Sequence, residues 1–122
     1  MPGVSYIQVL GKEILVVDYS GCKTDQMIQI FDQAKNELLV KGEKCRILTN
    51  LSNTYITPNF MRHAEREMLE VKHLIIKNAF IGMSQPKRMI LRGFSLLMGK
   101  KDFVAFDSEK EALEYLLQDD VQ

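Results

Sequence analysis

The side chains able to do covalent or acid–base chemistry are few and scattered. The histidines are His63 and His73, and the cysteines are Cys22 and Cys45. His63 falls in the run Arg62, Glu65, Arg66, Glu67, Glu70, Lys72, whose mixed charges at helical spacing predict a salt-bridged solvent face. His73 falls in a turn before an apolar run. Neither has the neighbouring serine or cysteine arrangement that an activated nucleophile needs. The zinc-binding HExxH pattern is absent, since His63-Ala64-Glu65 lacks the second histidine. Two isolated thiols do not make a structural zinc site, which wants four ligands. No glycine-rich nucleotide loop follows an apolar run, Gly82 standing alone. The residues therefore predict a chain that is not an enzyme and carries no cofactor and no metal.

A second group could bind rather than react. Asn50, Ser52, Asn53, Thr54, Thr57 and Ser84 are small polar residues gathered where apolar runs end, and Lys87, Arg88 and Arg92 follow shortly after. Two readings stand. Such residues cap helices and close turns. Beside helix N-termini, whose free N–H groups and dipole attract negative charge, they could also hold an anion or a small polar ligand. Cations at Lys87 and Arg88, in a first helical turn, oppose the dipole by roughly 0.3–1 kcal/mol each. Either an anionic ligand or partner, or acidic residues of the chain itself, would offset that cost.

Which of these residues share a rim depends on the elements that carry them. Residues 5–9 and 13–18 are β-rich runs separated by Leu10-Gly11-Lys12, which predicts a hairpin. A helix is expected from a Thr24 cap to Lys41, with Gly42 as its stop and Met27, Phe31, Ala34 and Leu38 as its apolar stripe. Residues 45–51 read as a strand. Thr57 as cap and Pro58 at the first helical position open a helix over 58–72 with Phe60, Met61, Ala64, Met68 and Val71 on one face. Residues 74–82 read as a strand, 86–98 as a helix stopped by Gly99, and 103–106 as a short strand; Asp107-Ser108 caps a last helix. The order ββαβαβαβα predicts a single α/β domain over 1–122. Its sheet is mixed and mostly parallel, with five strands, an antiparallel N-terminal edge strand and four covering helices. Ligands of such sheets sit outside the carboxyl ends of the strands. That places loops 19–24, 50–57 and 82–86 on one rim.

Helix 86–98 is more apolar than one buried stripe requires. Met89, Ile90, Leu91, Phe94, Leu96, Leu97 and Met98 span over half its circumference. It is either buried on two sides or in contact with a second molecule. Met83, Met89 and Met98 suit an adaptable surface.

Composition bounds the rest. The 122 residues suit one domain, and 46% hydrophobic content suits a real core. Basic and acidic residues balance at 16 each, which argues against nucleic acid as a partner. The balance is uneven locally: Lys87, Arg88, Arg92, Lys100 and Lys101 precede an acidic segment of Asp102, Asp107, Glu109, Glu111, Glu114, Asp119 and Asp120. No run approaches the ~20 apolar residues of a membrane span, and MPGVSYIQVL lacks the pattern of a signal peptide. A cytoplasmic location is expected. Cys22 and Cys45, placed at opposite ends of neighbouring parallel strands, are too far apart for a disulfide.

The hairpin end Val16-Val17-Asp18-Tyr19-Ser20-Gly21, the stretch Ile47-Leu48-Thr49-Asn50-Leu51-Ser52, the strand Lys77-Asn78-Ala79-Phe80-Ile81-Gly82, and Phe103-Val104-Ala105-Phe106-Asp107 followed by Glu111-Ala112-Leu113-Glu114-Tyr115-Leu116 carry a resemblance. Over nearly its whole length the chain resembles the small bacterial SpoIIAA-like proteins grouped with STAS domains and CRAL-TRIO-type lipid carriers. The resemblance lies in strand ends and loop lengths, so it implies a fold more than a function. It implies a helix-covered mixed sheet. In the family's anti-sigma-factor antagonists it also implies a partner-binding switch, a serine phosphorylated where the helix after the third strand begins. The matching stretch here is Ile56-Thr57-Pro58-Asn59-Phe60, with Pro58 at the serine position. Proline has no hydroxyl to phosphorylate, and Thr57 is committed as a cap.

The expected function is a non-enzymatic binding or regulatory domain, without the serine phosphoswitch, engaging a protein partner through helices 58–72 and 86–98. A second copy of the chain is one such partner. The alternative is a carrier or sensor of a small amphipathic or lipid-like ligand, with helix 86–98 as gate and Lys87, Arg88 and Arg92 near a headgroup. In the first reading Leu96 is the contact residue.

Overall fold

The computed structural model describes residues 1–118; Asp119 and Asp120 of the acidic segment lie outside the described residues. The expected order holds. The elements are β1 (Gly3–Val9), β2 (Lys12–Asp18), α1 (Thr24–Lys41), β3 (Cys45–Asn50), α2 (Pro58–Met68), a 3₁₀ turn (Lys72–Leu74), β4 (Ile75–Ile81), α3 (Gln85–Met98), β5 (Phe103–Ala105) and α4 (Glu109–Leu117). The sheet runs β1-β2-β3-β4-β5 in sequence order. β1 is antiparallel to β2 and every other pair is parallel.

That strand order decides the layering. Three crossovers of one hand, each stepping the same way, put α1, α2 and α3 on one face of the sheet. Residues of all three pack there with Leu15, Val17, Ile47, Ile75 and Phe80. The opposite face belongs to α4, whose Ala112 and Leu116 close over Ile14, Leu48 and Ala79. Period-two alternation along β2 and β3 sends neighbouring residues to the two cores.

Several element ends differ from expectation, each for a local reason. Lys23, not Thr24, is the N-cap of α1. Lysine has no acceptor, and the Gln26 side chain takes the Lys23 N–H instead, at 3.0 Å. The Thr24 hydroxyl is turned to Thr57 Oγ1, 3.0 Å away. α2 ends at Met68 rather than continuing to residue 72. Its last turn tightens into i−3 bonds from Glu70 and Val71, which drops Val71 into the core. Asp107 does not cap α4; Ser108 Oγ accepts from Glu111 N at 3.2 Å.

Two cations on the α4 side have a use that their sequence context did not suggest. Lys77 lies inside an apolar strand and is buried. Its Nζ donates to the carbonyls of Tyr115 and Gln118 at 3.1 and 3.0 Å, and Arg46 Nε donates to Leu116 O at 2.8 Å. Both satisfy carbonyls left open at the end of a helix, where the dipole favours positive charge.

The charged face of α2 is braced by α1 rather than by itself. Lys35 Nζ lies 2.7 Å from Glu67 and 3.0 Å from Glu70. The Lys35 ammonium, and after it Arg66, holds the Glu67 carboxyl below the usual carboxylate range. Glu67 and then Glu70 lift Lys35 above its own. The contribution of Glu67 is full above its unfolded value of about 4.3 and is lost as pH falls through the lower folded value. That of Lys35 is full below about 10.4 and is lost as pH rises through the raised folded value. Glu67→Gln is therefore expected to lower the urea midpoint at neutral pH, and to converge with the parent protein as pH drops below about 4.

Candidate functional site

The rim at the carboxyl ends of the strands forms as expected, and most of its polar side chains are engaged in building it. Asn50 Oδ1 accepts from Ser52 N at 2.9 Å. The Thr54 hydroxyl is buried and donates to Leu51 O at 2.7 Å. Thr57 Oγ1 accepts from Phe60 N at 3.3 Å as the α2 cap. Ser52 O receives Gly21 N at 3.0 Å, tying the loop after β2 to the loop after β3. Asn53 turns the chain at φ +56°, a conformation asparagine tolerates better than most residues. Ser84 stands at the N-cap of α3 without a side-chain capping bond.

The cations near α3 divide. Lys87 reaches back across the rim, its Nζ donating to Leu51 O at 2.7 Å and to Gly82 O at 3.4 Å. Burial there pushes its ammonium below the usual range. Arg88 is held by the chain's own acid, Asp107 Oδ1, at 2.7 Å, and by Met83 O at 3.2 Å. Those bonds offset the dipole cost of two cations in a first turn. Arg92 is exposed and forms no ion pair with any described residue. Beside this rim lies an open depression of about 830 Å³ bordered by Asn53, Tyr55, Ser84, Pro86, Lys87 and Ile90.

α3 buries Leu91, Phe94 and Met98 against the sheet. The rest of its apolar excess faces outward: Met89 is 67% exposed, Leu96 80% and Leu97 61%. The helix is not covered on both sides. At 100° per residue Arg92, Leu96, Met89, Gly93 and Leu97 follow one another around the outer face, with Gly93 between the large side chains. A Cβ added at Gly93 would meet nothing within 4 Å.

Beneath α2 and α3 lies a feature that the rim reading missed. A cavity of about 80 Å³ is lined by Phe31, Phe60, Met68, Phe80, Leu91 and Phe94, with Ile56, Met61, Met83 and Ile90 half-buried around it. A second cavity of about 40 Å³ adjoins it toward α1. Tyr19, Thr49 and Asn78 border both. Thr49 Oγ1 donates to Asn78 Oδ1 at 2.8 Å. The amide nitrogen of Asn78 and the hydroxyl of Tyr19 bond to no described residue. Both residues are at least nine-tenths buried, Tyr19 at 5% exposure and Asn78 at 4%. No side-chain polar atom among the described residues is both fully enclosed and unpaired, so these two keep their open surface on the cavity. Burial pushes the Tyr19 phenol far up, with the charge of Asp32 adding to it. The sequence signal was present as the amide of Asn78 and the hydroxyl of Thr49 inside strands that otherwise read as buried, and as Tyr19 just after β2.

Among the described residues the histidines and cysteines lie apart from one another and from this cavity. His63 pairs with Asp32 at 2.6 Å on the α1–α2 surface. Cys22 and Cys45 are buried, free thiols, and burial pushes the Cys45 thiol up. No group of three or more metal-ligating side chains gathers among the described residues, and no helix among them is long and apolar enough to cross a membrane.

No protein-family model and no curated protein matches the sequence. Solved structures do match. A DUF3478-family protein of Shewanella loihica PV-4 with a SpoIIAA-like fold superposes with a TM-score of 0.69 at 15% identity, covering 95% of each chain. An anti-sigma-factor antagonist (STAS) domain protein of Planctomyces limnophilus superposes with a TM-score of 0.52 at 10% identity, covering 95% of this chain and 99% of its own. A five-stranded sheet in sequence order, its first strand reversed, three helices on one face and one on the other is thus a SpoIIAA-like fold, of the kind also seen in STAS domains.

Proposed function

We propose that the protein is a non-enzymatic binding domain that engages a protein partner through the outer face of α3 and the neighbouring rim, and that it works without a serine phosphoswitch. The observation that carries this reading is Gly93. A glycine in an exposed helix interior costs roughly 0.5–1 kcal/mol relative to alanine. No described residue occupies the space that a Cβ would take, so no contact among them requires it. Set between exposed Met89, Leu96 and Leu97, it leaves a notch through which another backbone can approach. Arg92, which forms no ion pair with any described residue, adds a charge at the edge. The similar STAS protein is described as an anti-sigma-factor antagonist, which fits a partner-binding use of the fold. Pro58 at the serine position and the engagement of Thr57 by Phe60 N and Thr24 support a surface that phosphorylation of that residue does not control.

Two substitutions test this together. Gly93→Ala is expected to raise stability by about 0.5–1 kcal/mol, and Leu96→Asp to leave it within about 0.5 kcal/mol. Both should weaken the complex captured from an extract of the source cells, or the dimer in sedimentation velocity if the partner is a second copy. Unchanged capture and unchanged sedimentation by Leu96→Asp would remove the reading. So would unfolding of Leu96→Asp, which would make the residue core.

A further inference from the structure

We infer that the cavity beneath α2 and α3 is a binding site for a small, neutral, hydrogen-bond-accepting organic molecule, its polar atom held by Tyr19 Oη and Asn78 Nδ2 and its apolar body by the phenylalanines. The inference does not rest on the α3 surface, which lies on the other side of that helix.

Its ground is an imbalance in polar bookkeeping. A core built only for packing would put phenylalanine and an aliphatic residue at positions 19 and 78, because donors facing an apolar cavity without a protein partner are disfavoured. Here Tyr19, just past the end of β2, meets Thr49 of β3 and Asn78 of β4 at the same cavities. Thr49 uses the Asn78 carbonyl, which fixes the amide so that its N–H groups are left over. What remains offered is donors: the amide N–H of Asn78 and the hydroxyl of Tyr19. The matching ligand atom is an acceptor, a carbonyl or ether oxygen.

The surroundings set charge and size. Lys35 is the charged residue bordering the smaller cavity, and Glu67 and Glu70 already hold it. Asp32 lies near enough to Tyr19 to raise its phenol. A carboxylate would find no free counter-charge and a nearby negative one, so the ligand is neutral. An engineered apolar cavity of ~150 Å³ in another protein takes up one benzene; about 80 Å³ with an annex of about 40 Å³ sets the limit below a six-membered ring, at roughly three to five heavy atoms by the same ratio. A lipid-sized ligand does not fit. Four flexible or aliphatic side chains, Ile56, Met61, Met83 and Ile90, stand half-buried where α2 meets α3 and form the mouth. Methionine's rotatable thioether lets such a mouth part.

The test uses the whole protein and three probes of the same size: acetone, isobutene and acetate. Acetone is expected to bind, moving the Asn78 side-chain amide signals in ¹H–¹⁵N spectra. Isobutene should bind more weakly, and acetate should leave the spectrum unchanged. Tyr19→Phe keeps the ring and removes only the hydroxyl. It should raise the melting temperature of the ligand-free protein while weakening acetone about 3- to 10-fold, the value of one hydrogen bond. The inference is overturned if acetone moves no cavity signal, if a crystal structure shows the cavity filled only by water that acetone does not displace, or if Tyr19→Phe lowers the melting temperature and leaves affinity unchanged.

Discussion

Gly82→Ala is expected to destabilise the protein by ~2–5 kcal/mol, with the urea midpoint falling and the m-value unchanged. Gly82 sits at φ +75°, where an added Cβ would lie 2.4 Å from Ser52 N and 2.7 Å from Ser52 Cα. Left-handed backbone costs a residue with a Cβ roughly 1–2 kcal/mol. The clash adds an overpacking cost of about 1–3 kcal/mol, because the obstructing atoms are backbone and cannot rotate away. Relief requires loop 50–57 to separate from the end of β4. That would strain the bond from Leu51 N to Ile81 O and the two carbonyl contacts of Lys87. An unchanged midpoint would mean that the two loops are not packed as described.

Leu116→Ala is expected to cost ~2–5 kcal/mol. The residue is fully enclosed, and the second core contains few others: Ile14, Leu48, Ala79 and Ala112. Among the described residues α4 is the one helix that brings buried side chains to that face, so no other described helix can fill the void. A loosened α4 would also withdraw the carbonyls to which Lys77 and Arg46 donate. Leu97→Ala, an equal truncation on exposed α3, should stay within about 0.5 kcal/mol. Equal losses at the two positions in thermal or urea unfolding would contradict the layering.

The elements were legible in the sequence because the signals for them are local. Alternating apolar residues in β2, Pro58 after Thr57, and Gly42 and Gly99 after their helices all act within one turn or strand of the chain. What the sequence concealed depends on contacts distant along the chain. The early end of α2 follows from where Val71 must go. The pairing of Lys35 with Glu67 and Glu70 joins two helices and cannot be seen in the spacing of either. Lys77 looks out of place in its strand until α4 supplies two carbonyls. The outward turn of Leu96 and Leu97 was open between two readings, because composition does not say which arc of a helix a sheet will cover. Asn50, Thr54, Thr57 and Lys87 were readable as rim residues, and the structure gives each of them an internal partner. Tyr19 and Asn78 were passed over because each is ordinary in its own segment. Only the strand order brings them to one cavity.

Site-specific photo-crosslinking tests most directly whether the outer face of α3 receives a partner. A photoreactive residue at Leu97 should give a discrete adduct in an extract of the source cells, and one at exposed Lys110 on α4 should not. Gly93→Ala in the same chain should diminish the Leu97 adduct. Adducts of equal yield from Leu97 and Lys110, or an adduct at Leu97 that Gly93→Ala leaves undiminished, would contradict the account.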